Sequence, residues 1–242
     1  MKIALIGYGK MGKAIEEIAL AKGHEIVLKI SIDNTEDFTK EKVAKADVAI
    51  EFTGPESAPD NICKCVEAGV PVVSGSTGWL KDWDNVADFI KSNNGGFLYA
   101  SNFSIGVNLF FELNKYLAKL MEPYKDYDVS LEEIHHTQKK DAPSGTAITL
   151  AEQVLQEITT KQRWVNEPTG NPEDLLIVSK RTDPAPGTHM IKYSSEIDDI
   201  EIVHTAHNRK GFAGGAVLAA EFIKDKNGIF TMQDVLFSNH NS

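Results

Sequence analysis

The densest run of chemistry-bearing side chains is Glu133-Ile134-His135-His136-Thr137-Gln138-Lys139-Lys140-Asp141-Ala142-Pro143-Ser144-Gly145-Thr146-Ala147. His135 and His136 offer proton transfer near neutral pH, where an unperturbed imidazole changes charge. Lys139 adds an ammonium that can hold an anion or act as a cationic electrophile. Pro143 and Gly145 shape a loop, and Ser144-Gly145-Thr146 opens an amphipathic run carrying Ile148, Leu150, Ala151, Leu155 and Ile158. A helix start presents unpaired N–H groups and the positive end of its dipole. With the hydroxyls of Ser144 and Thr146 it forms an anion cradle. A carboxylate held there, beside imidazoles and an ammonium, suits the reduction of a dicarboxylic acid. Taken singly, each residue fits a solvated loop with an ordinary helix cap; the combination points to chemistry.

A second constellation lies near the N-terminus. Gly7-Tyr8-Gly9-Lys10-Met11-Gly12 fits G-x-G-x-x-G between a strand and a helix. The first glycine permits a tight turn, the second admits a pyrophosphate against the backbone, and the third lets helix and strand pack closely. Asp33 follows 21 residues after Gly12, where a carboxylate accepts hydrogen bonds from a ribose 2′-hydroxyl and repels a 2′-phosphate. Asn34 stands where an NADP-selective site places an arginine. Lys10 and Lys13 are either partners for a 2′-phosphate or solvated helix charges. The expected cofactor is NADH or NADPH, with NADH used at least as well.

The elements around these residues form two groups. Strands at Lys2 to Ile6, Glu25 to Ile32, Asp47 to Thr53, Val70 to Ser74 and Phe97 to Ala100 alternate with helices at Met11 to Lys22 and Asn61 to Ala68 and a further helical unit. This is the pattern of a parallel α/β sheet. A long helix, Val107 to Met121, leads to a strand at Asp128 to Ile134 and a helix at Thr146 to Ile158. Three alternating segments follow at Leu175 to Lys180, His189 to Tyr193 and Glu201 to His204, which predict an antiparallel or mixed sheet with one covered face. A helix at Ala216 to Ile223 and a segment at Phe230 to Phe237 close the chain. The expected class is α/β: an N-terminal Rossmann-type dinucleotide-binding domain plus an inserted α+β sheet domain. The first comprises residues 1–103 and 212–242; the second, 104–211, carries the histidine segment. Hydride transfer across two domains makes Ser101 to Gly106 and Asn208 to Gly215 hinge candidates.

Composition narrows the partners. The 25 Lys and Arg against 35 Asp and Glu give a net charge of −10, the wrong sign for sequence-independent nucleic-acid binding. No apolar run approaches the ~20 residues of a membrane span, and the N-terminus is too strand-like for a signal peptide. Cys63 and Cys65 are read as free thiols in a reducing cytoplasm, and no metal-ligand set stands out.

Glu-x-His-His-x-x-Lys-x-Asp-Ala-Pro-Ser-Gly-Thr-Ala across 133–147 resembles the signature of the 4-hydroxy-tetrahydrodipicolinate reductase family. The likeness extends through Glu51-Phe52-Thr53, Gly75-Ser76-Thr77-Gly78, Ser101-Asn102-Phe103-Ser104-Ile105-Gly106-Val107-Asn108, Gly187-Thr188-His189 and Asn208 to Ala216. Glu51 stands for the commoner Asp and Ser76 for Thr. The stretch Arg181 to Pro186 departs from a more glycine-rich loop, so no role passes to Arg181.

The resemblance implies that His135 is the proton donor and Lys139 the second catalytic residue. It implies that His136, Ser144, Gly145 and Thr146 bind a small dicarboxylate substrate. The cofactor residues it implies are Gly7, Tyr8, Gly9, Lys10, Met11, Gly12, Asp33, Phe52, Thr53, Gly75, Ser76, Thr77, Ala100, Ser101, Asn102 and Phe103. It further implies a cytoplasmic homotetramer built through the second-domain sheets, without metal, acting in diaminopimelate and lysine biosynthesis. Two other classes are weaker. A semialdehyde dehydrogenase needs an activated cysteine, and an NADH-sensing regulator needs a basic DNA-reading module.

Overall fold

The computed structural model describes residues 1–208 and 210–238; Arg209 of the glycine-rich run and residues 239–242 lie outside the description. Two compact units divide the chain, Met1–Ile105 with Lys210–Ser242, and Gly106–Arg209.

The first unit opens with β1 (Lys2–Ile6), α1 (Lys10–Ala21), β2 (Glu25–Ile30), α2 (Lys40–Val43) and β3 (Val48–Glu51). It continues through α3 (Ala58–Glu67), β4 (Val72–Ser74), α4 (Trp83–Ser92) and β5 (Gly96–Tyr99). The second unit holds α5 (Ile105–Met121), β6 (Asp128–His135), α6 (Gly145–Glu157), β7 (Arg163–Val165), β8 (Asp174–Arg181), β9 (Gly187–Ser194) and β10 (Asp199–Ala206). The chain then returns to the first with α7 (Lys210–Ile223), β11 (Gly228–Phe230) and α8 (Met232–Phe237).

In the first unit six parallel strands run in the order β11-β5-β4-β3-β1-β2. Side chains alternate across a strand, and β1 shows the consequence. Ile3 and Leu5 join Ile15 of α1 and Val217 and Ala220 of α7 in one apolar layer. Ala4 and Ile6 join Ile62 of α3, Trp79 and Ile90 of α4 in the other. Both faces are covered, so the inner strands are almost wholly apolar. The chain leaves β1 toward β2 on one side, and β3 lies on the other. That reversal opens a crevice beyond the carboxyl ends of β1 and β3, the general ligand position of doubly wound sheets.

The second unit carries a mixed five-stranded sheet in the order β10-β9-β6-β8-β7. β6 pairs parallel with β8 and antiparallel with β9, which pairs antiparallel with β10. One face packs Val129, Leu131, Ile177, Ile191 and Tyr193 against Phe110 and Ala118 of α5 and Leu150 and Val154 of α6. The opposite face leaves Ile134, Val178 and Met190 half-buried and Val203 54% exposed.

Three readings of the sequence need correction. The last long helix begins at Lys210 rather than Ala216. Within it Gly215 serves close packing, because a Cβ there would lie 1.7 Å from the Phe103 carbonyl oxygen. The short edge strand β7 lies in a stretch whose Pro and Gly content masked it. The segment at Phe230 to Phe237 divides into β11 and α8 at Thr231, whose side chain and Asp234 form a capping box.

Candidate active site

In the first unit, the glycine motif does what its spacing predicts. Gly7 has φ +98° and sits so close to β3 that an added Cβ would meet the Phe52 carbonyl oxygen at 2.1 Å. A Cβ on Gly12 would meet the Gly7 oxygen at 2.6 Å, whereas one on Gly9 would meet nothing within 4 Å. Two glycines are therefore spent on packing, and the middle one leaves an open surface. Gly9 is also the N-cap of α1, which has no capping side chain and no acid in its first turn. An anionic diphosphate fits that unopposed helix start.

A cavity of about 670 Å³ adjoins this turn, lined by Gly7, Tyr8, Gly9, Asp33, Phe52 and Thr53, and farther along by Phe38, Asn61 and Lys64. A second cavity of about 310 Å³ shares Gly9, Phe52 and Thr53 and adds Lys10, Met11 and Gly75 to Thr77. Together they suit a two-lobed ligand joined at Gly9. Ala100 to Phe103 line neither cavity. Phe103 is a core residue whose ring packs 5.7 Å from that of Phe52.

Sequence reasoning left Glu51 outside the site, yet it organises the cleft. Its fully buried carboxylate accepts from Thr53 N at 2.8 Å, Ser74 Oγ at 2.6 Å and Ser76 Oγ at 2.7 Å. One buried carboxyl group thus fixes the loops after β3 and β4. Tyr8 is pinned from outside: its hydroxyl donates to Glu16, and Lys29 Nζ lies 2.8 Å from Glu16 and 4.9 Å above the Tyr8 ring. Asn34 is consumed by its own turn, accepting from Ser31 N at 2.7 Å and donating to Lys29 O.

The second unit gathers the histidine segment. Glu133 and His135 lie two apart on β6 and therefore share a face. Glu133 is fully buried, and His135 Nδ1 lies 3.2 Å from its Oε2, with the ring turned out of line for an aligned hydrogen bond. Glu133 Oε1 accepts from Ser144 N at 3.0 Å and from Arg181 at 3.1 Å. Burial pushes the Glu133 pKa up, but His135, Ser144, Ser179 and Arg181 together outweigh it and hold the carboxyl well below the usual range.

Ser144 caps α6, its Oγ accepting from Ala147 N at 3.2 Å, and lies 3.2 Å from His189 Nε2. With Ser144 N and Ala147 N satisfied, Gly145 N and Thr146 N have no acceptor among the described residues. Unpaired N–H groups of this kind at a helix start favour an anion. Ser144, 2% exposed, caps the helix from a buried position. Lys139 Nζ makes a two-point contact with Asp141 at 2.8 and 2.9 Å. His136 donates its backbone N–H to Ala185 O at 2.8 Å, and Thr137 donates to Asp183, tying the loop to the β8–β9 turn.

Two further members come from distant strands. His189 on β9 faces Glu133 across the antiparallel ladder, its ring 5.1 Å edge-on from that of His135. Burial first, and then the charge of His135, push the His189 pKa down to about 4, so the ring is neutral at pH 7. Arg181, given no role from sequence, lies opposite His135 on β8 and also donates to Asp141 O at 2.6 Å. The run Gly187-Thr188-His189 was the available signal for His189. Glu133, His135 and His189 bring donor atoms within 4.8 Å of one another, but the Arg181 guanidinium already supplies positive charge to that carboxylate.

Known proteins resemble this chain over nearly its whole length. Residues 1–103 match the family described as dihydrodipicolinate reductase, N-terminus, and residues 106–236 its C-terminus. The chain belongs to the dihydrodipicolinate reductase family. It is 50% identical over 240 residues to the 4-hydroxy-tetrahydrodipicolinate reductase of Christiangramia forsetii, covering 98% of each chain. It is 33% identical to that of Neisseria meningitidis serogroup B, covering 93% of this chain and 85% of the relative. The dipicolinate-bound dihydrodipicolinate reductase of Paenisporosarcina sp. TG-14 shares the fold, with TM-score 0.77 at 22% identity over 98% and 99% of the two chains. Membership in this family indicates a pyridine nucleotide cofactor.

Proposed function

We propose that this chain reduces 4-hydroxy-tetrahydrodipicolinate to tetrahydrodipicolinate with NADH or NADPH, as a cytoplasmic enzyme of diaminopimelate and lysine biosynthesis. The observation that carries the reading is one buried carboxylate, Glu133, that joins the imidazole of His135 to the open N-terminus of α6. Proton donor and carboxylate cradle are thereby fixed to each other. The whole reaction consumes one reduced nucleotide and one proton and releases water. When bound, the nucleotide supplies the hydride. The residues of this chain do the rest. Gly145 and Thr146 N–H groups hold a substrate carboxylate, with His136 beside them. Lys139, released from Asp141, offsets charge that builds on the substrate ring. His135 delivers the proton to carbon.

In the first unit, Gly7, Tyr8, Gly9, Lys10, Met11 and Gly12 would hold the nucleotide diphosphate. Asp33 would take the ribose hydroxyls, and Phe52, Thr53, Gly75, Ser76 and Thr77 the nicotinamide half. Asp33 without a following arginine supports use of NADH at least as well as NADPH. The half-open sheet face, with Val203 exposed on edge strand β10, supports assembly as a homotetramer through the second-unit sheets. No helix among the described residues is long and apolar enough to cross a membrane.

The deciding test is consumption of NADH by the purified protein mixed with freshly generated 4-hydroxy-tetrahydrodipicolinate. Rapid, substrate-dependent loss of NADH absorbance is expected, with dipicolinate as a competitive inhibitor. No consumption with either nucleotide would overturn the proposal.

A further inference from the structure

We propose that Glu133 is a positioning residue, which acts through His135 by holding its ring as the imidazolium with Nε2 turned toward Gly187. The proposal rests on the assignment of His135 as proton donor and adds what keeps that donor charged and aimed. The two oxygens of Glu133 differ. Oε1 is saturated by two permanent donors, Ser144 N at 3.0 Å and Arg181 at 3.1 Å. Oε2 has no aligned hydrogen bond and lies 3.2 Å from His135 Nδ1 and 3.8 Å from His189 Nε2.

His189 cannot serve it. Ser144 Oγ accepts from Ala147 N, so its own proton is free to point at His189 Nε2, 3.2 Å away. His189 Nε2 is engaged by Ser144 Oγ and stands farther from Oε2 than His135 Nδ1 does, 3.8 Å against 3.2 Å. His135 Nδ1 is the imidazole nitrogen nearest Oε2, and a buried carboxylate held by Ser144, Ser179 and Arg181 gains further from a charged ring at that distance. The second nitrogen is directed by the same contact: a Cβ on Gly187 would lie 3.0 Å from His135 Nε2, so the missing side chain leaves that nitrogen room.

In turnover the Nε2–H bond breaks and a C–H bond forms from the electron pair of the reduced substrate. His135 is left neutral until solvent reprotonates it. The charged groups around the pair are few. Arg181 approaches from β8, and His189 from β9 with His204 opposite it on β10. The loop contributes Lys139 and Asp141, which neutralise each other. Replacing Glu133 by glutamine leaves Arg181 unbalanced beside His135, which disfavours the imidazolium.

The experiment is the pH profile of kcat for the intact enzyme and its Glu133→Gln and Glu133→Asp variants, with His135→Gln as reference. In Glu133→Gln the alkaline limb should move about one pH unit lower, with KM for substrate changed by less than about threefold. Glu133→Asp keeps the charge but withdraws it by one methylene, so its limb should fall between. If Glu133→Gln does not fold, Glu133→Asp decides alone, with the His135 ring titration followed by NMR. Profiles that superimpose on the wild type, at any level of kcat, would overturn the role of Glu133 while an inactive His135→Gln upheld the donor. Normal turnover in His135→Gln would overturn the donor reading itself.

Discussion

The two ligand-handling regions of this chain are built from different materials. The cleft of the first unit is made of backbone: a tight turn, a bare helix start, and glycines whose missing side chains leave room. The histidine cluster of the second unit is made of side chains from three strands, a helix cap and a loop, bound through one buried carboxylate. A backbone site depends on a few consecutive residues and on where a strand ends. A side-chain site depends on partners 45 to 48 residues apart in sequence, as in Ser144 with His189 and Glu133 with Arg181. The first should fail sterically and locally when altered, the second electrostatically and with a dependence on pH.

The largest effect should follow loss of the proton donor. His135→Gln is expected to lower kcat by roughly two to four powers of ten, with little change in dipicolinate affinity. Steady-state kinetics and calorimetric titration check the two halves. Near-normal kcat with a raised KM would make His135 a binding residue.

Next comes acid stability. Free histidine takes up a proton near its ordinary pKa, but His189 in the folded chain does so only near pH 4. Between those values the unfolded chain binds the extra proton, so stability falls as pH falls and levels off below about pH 4. The loss attributable to this ring is on the order of 3 kcal/mol. Denaturant midpoints at pH 7 and in mild acid should therefore converge in His189→Gln relative to the wild type. An equal acid loss in both proteins would show that the ring is not the source.

What the sequence revealed follows the same division. The glycine turn, the strand before it and the acid at Asp33 were legible because each depends on local spacing. The α6 cap was legible because Ser144-Gly145-Thr146 precedes an apolar run. Glu51 was not, since only the pairing of β3 with β4 brings Ser74 and Ser76 to its carboxylate. Arg181 was hidden for the same reason, and His189 was signalled only by the run Gly187-Thr188-His189; both become neighbours of Glu133 through the β6–β8 and β6–β9 ladders. Gly215 of α7 was hidden in the same way. Three glycines in a short run suggest freedom, but here Gly215 is confined by the Phe103 backbone.

The glycine turn offers a sharper contrast. Gly7→Ala should cost more than about 2 kcal/mol of stability, from the positive φ and the collision with Phe52. Gly9→Ala, with nothing within 4 Å and φ −88°, should melt like the wild type yet bind NADH about tenfold more weakly. Melting curves and NADH fluorescence titrations separate the two. Wild-type NADH affinity in Gly9→Ala would mean that the diphosphate does not approach this turn.

The smallest expected effect concerns cofactor choice, where a side chain is superimposed on the backbone-built cleft. Asp33 lines the larger cavity and repels a 2′-phosphate, so Asp33→Ala should shift kcat/KM toward NADPH by about tenfold. The cation that benefits distinguishes two geometries. Sequence position offered Lys10 and Lys13, but Lys10 lines the smaller cavity with Gly75 to Thr77. Lys64 lines the cavity that holds Asp33, its Nζ lying 5.3 Å over the Phe38 ring, and it makes no ion pair among the described residues. A ribose phosphate at the Asp33 end would therefore meet Lys64, a point charge on a flexible stem suited to such a group. Lys64→Gln added to Asp33→Ala should cancel most of the gain for NADPH and leave NADH kinetics nearly unchanged. If Lys10→Gln cancels it instead, the phosphate lies at the helix start, and the adenosine end of the nucleotide is not in the larger cavity.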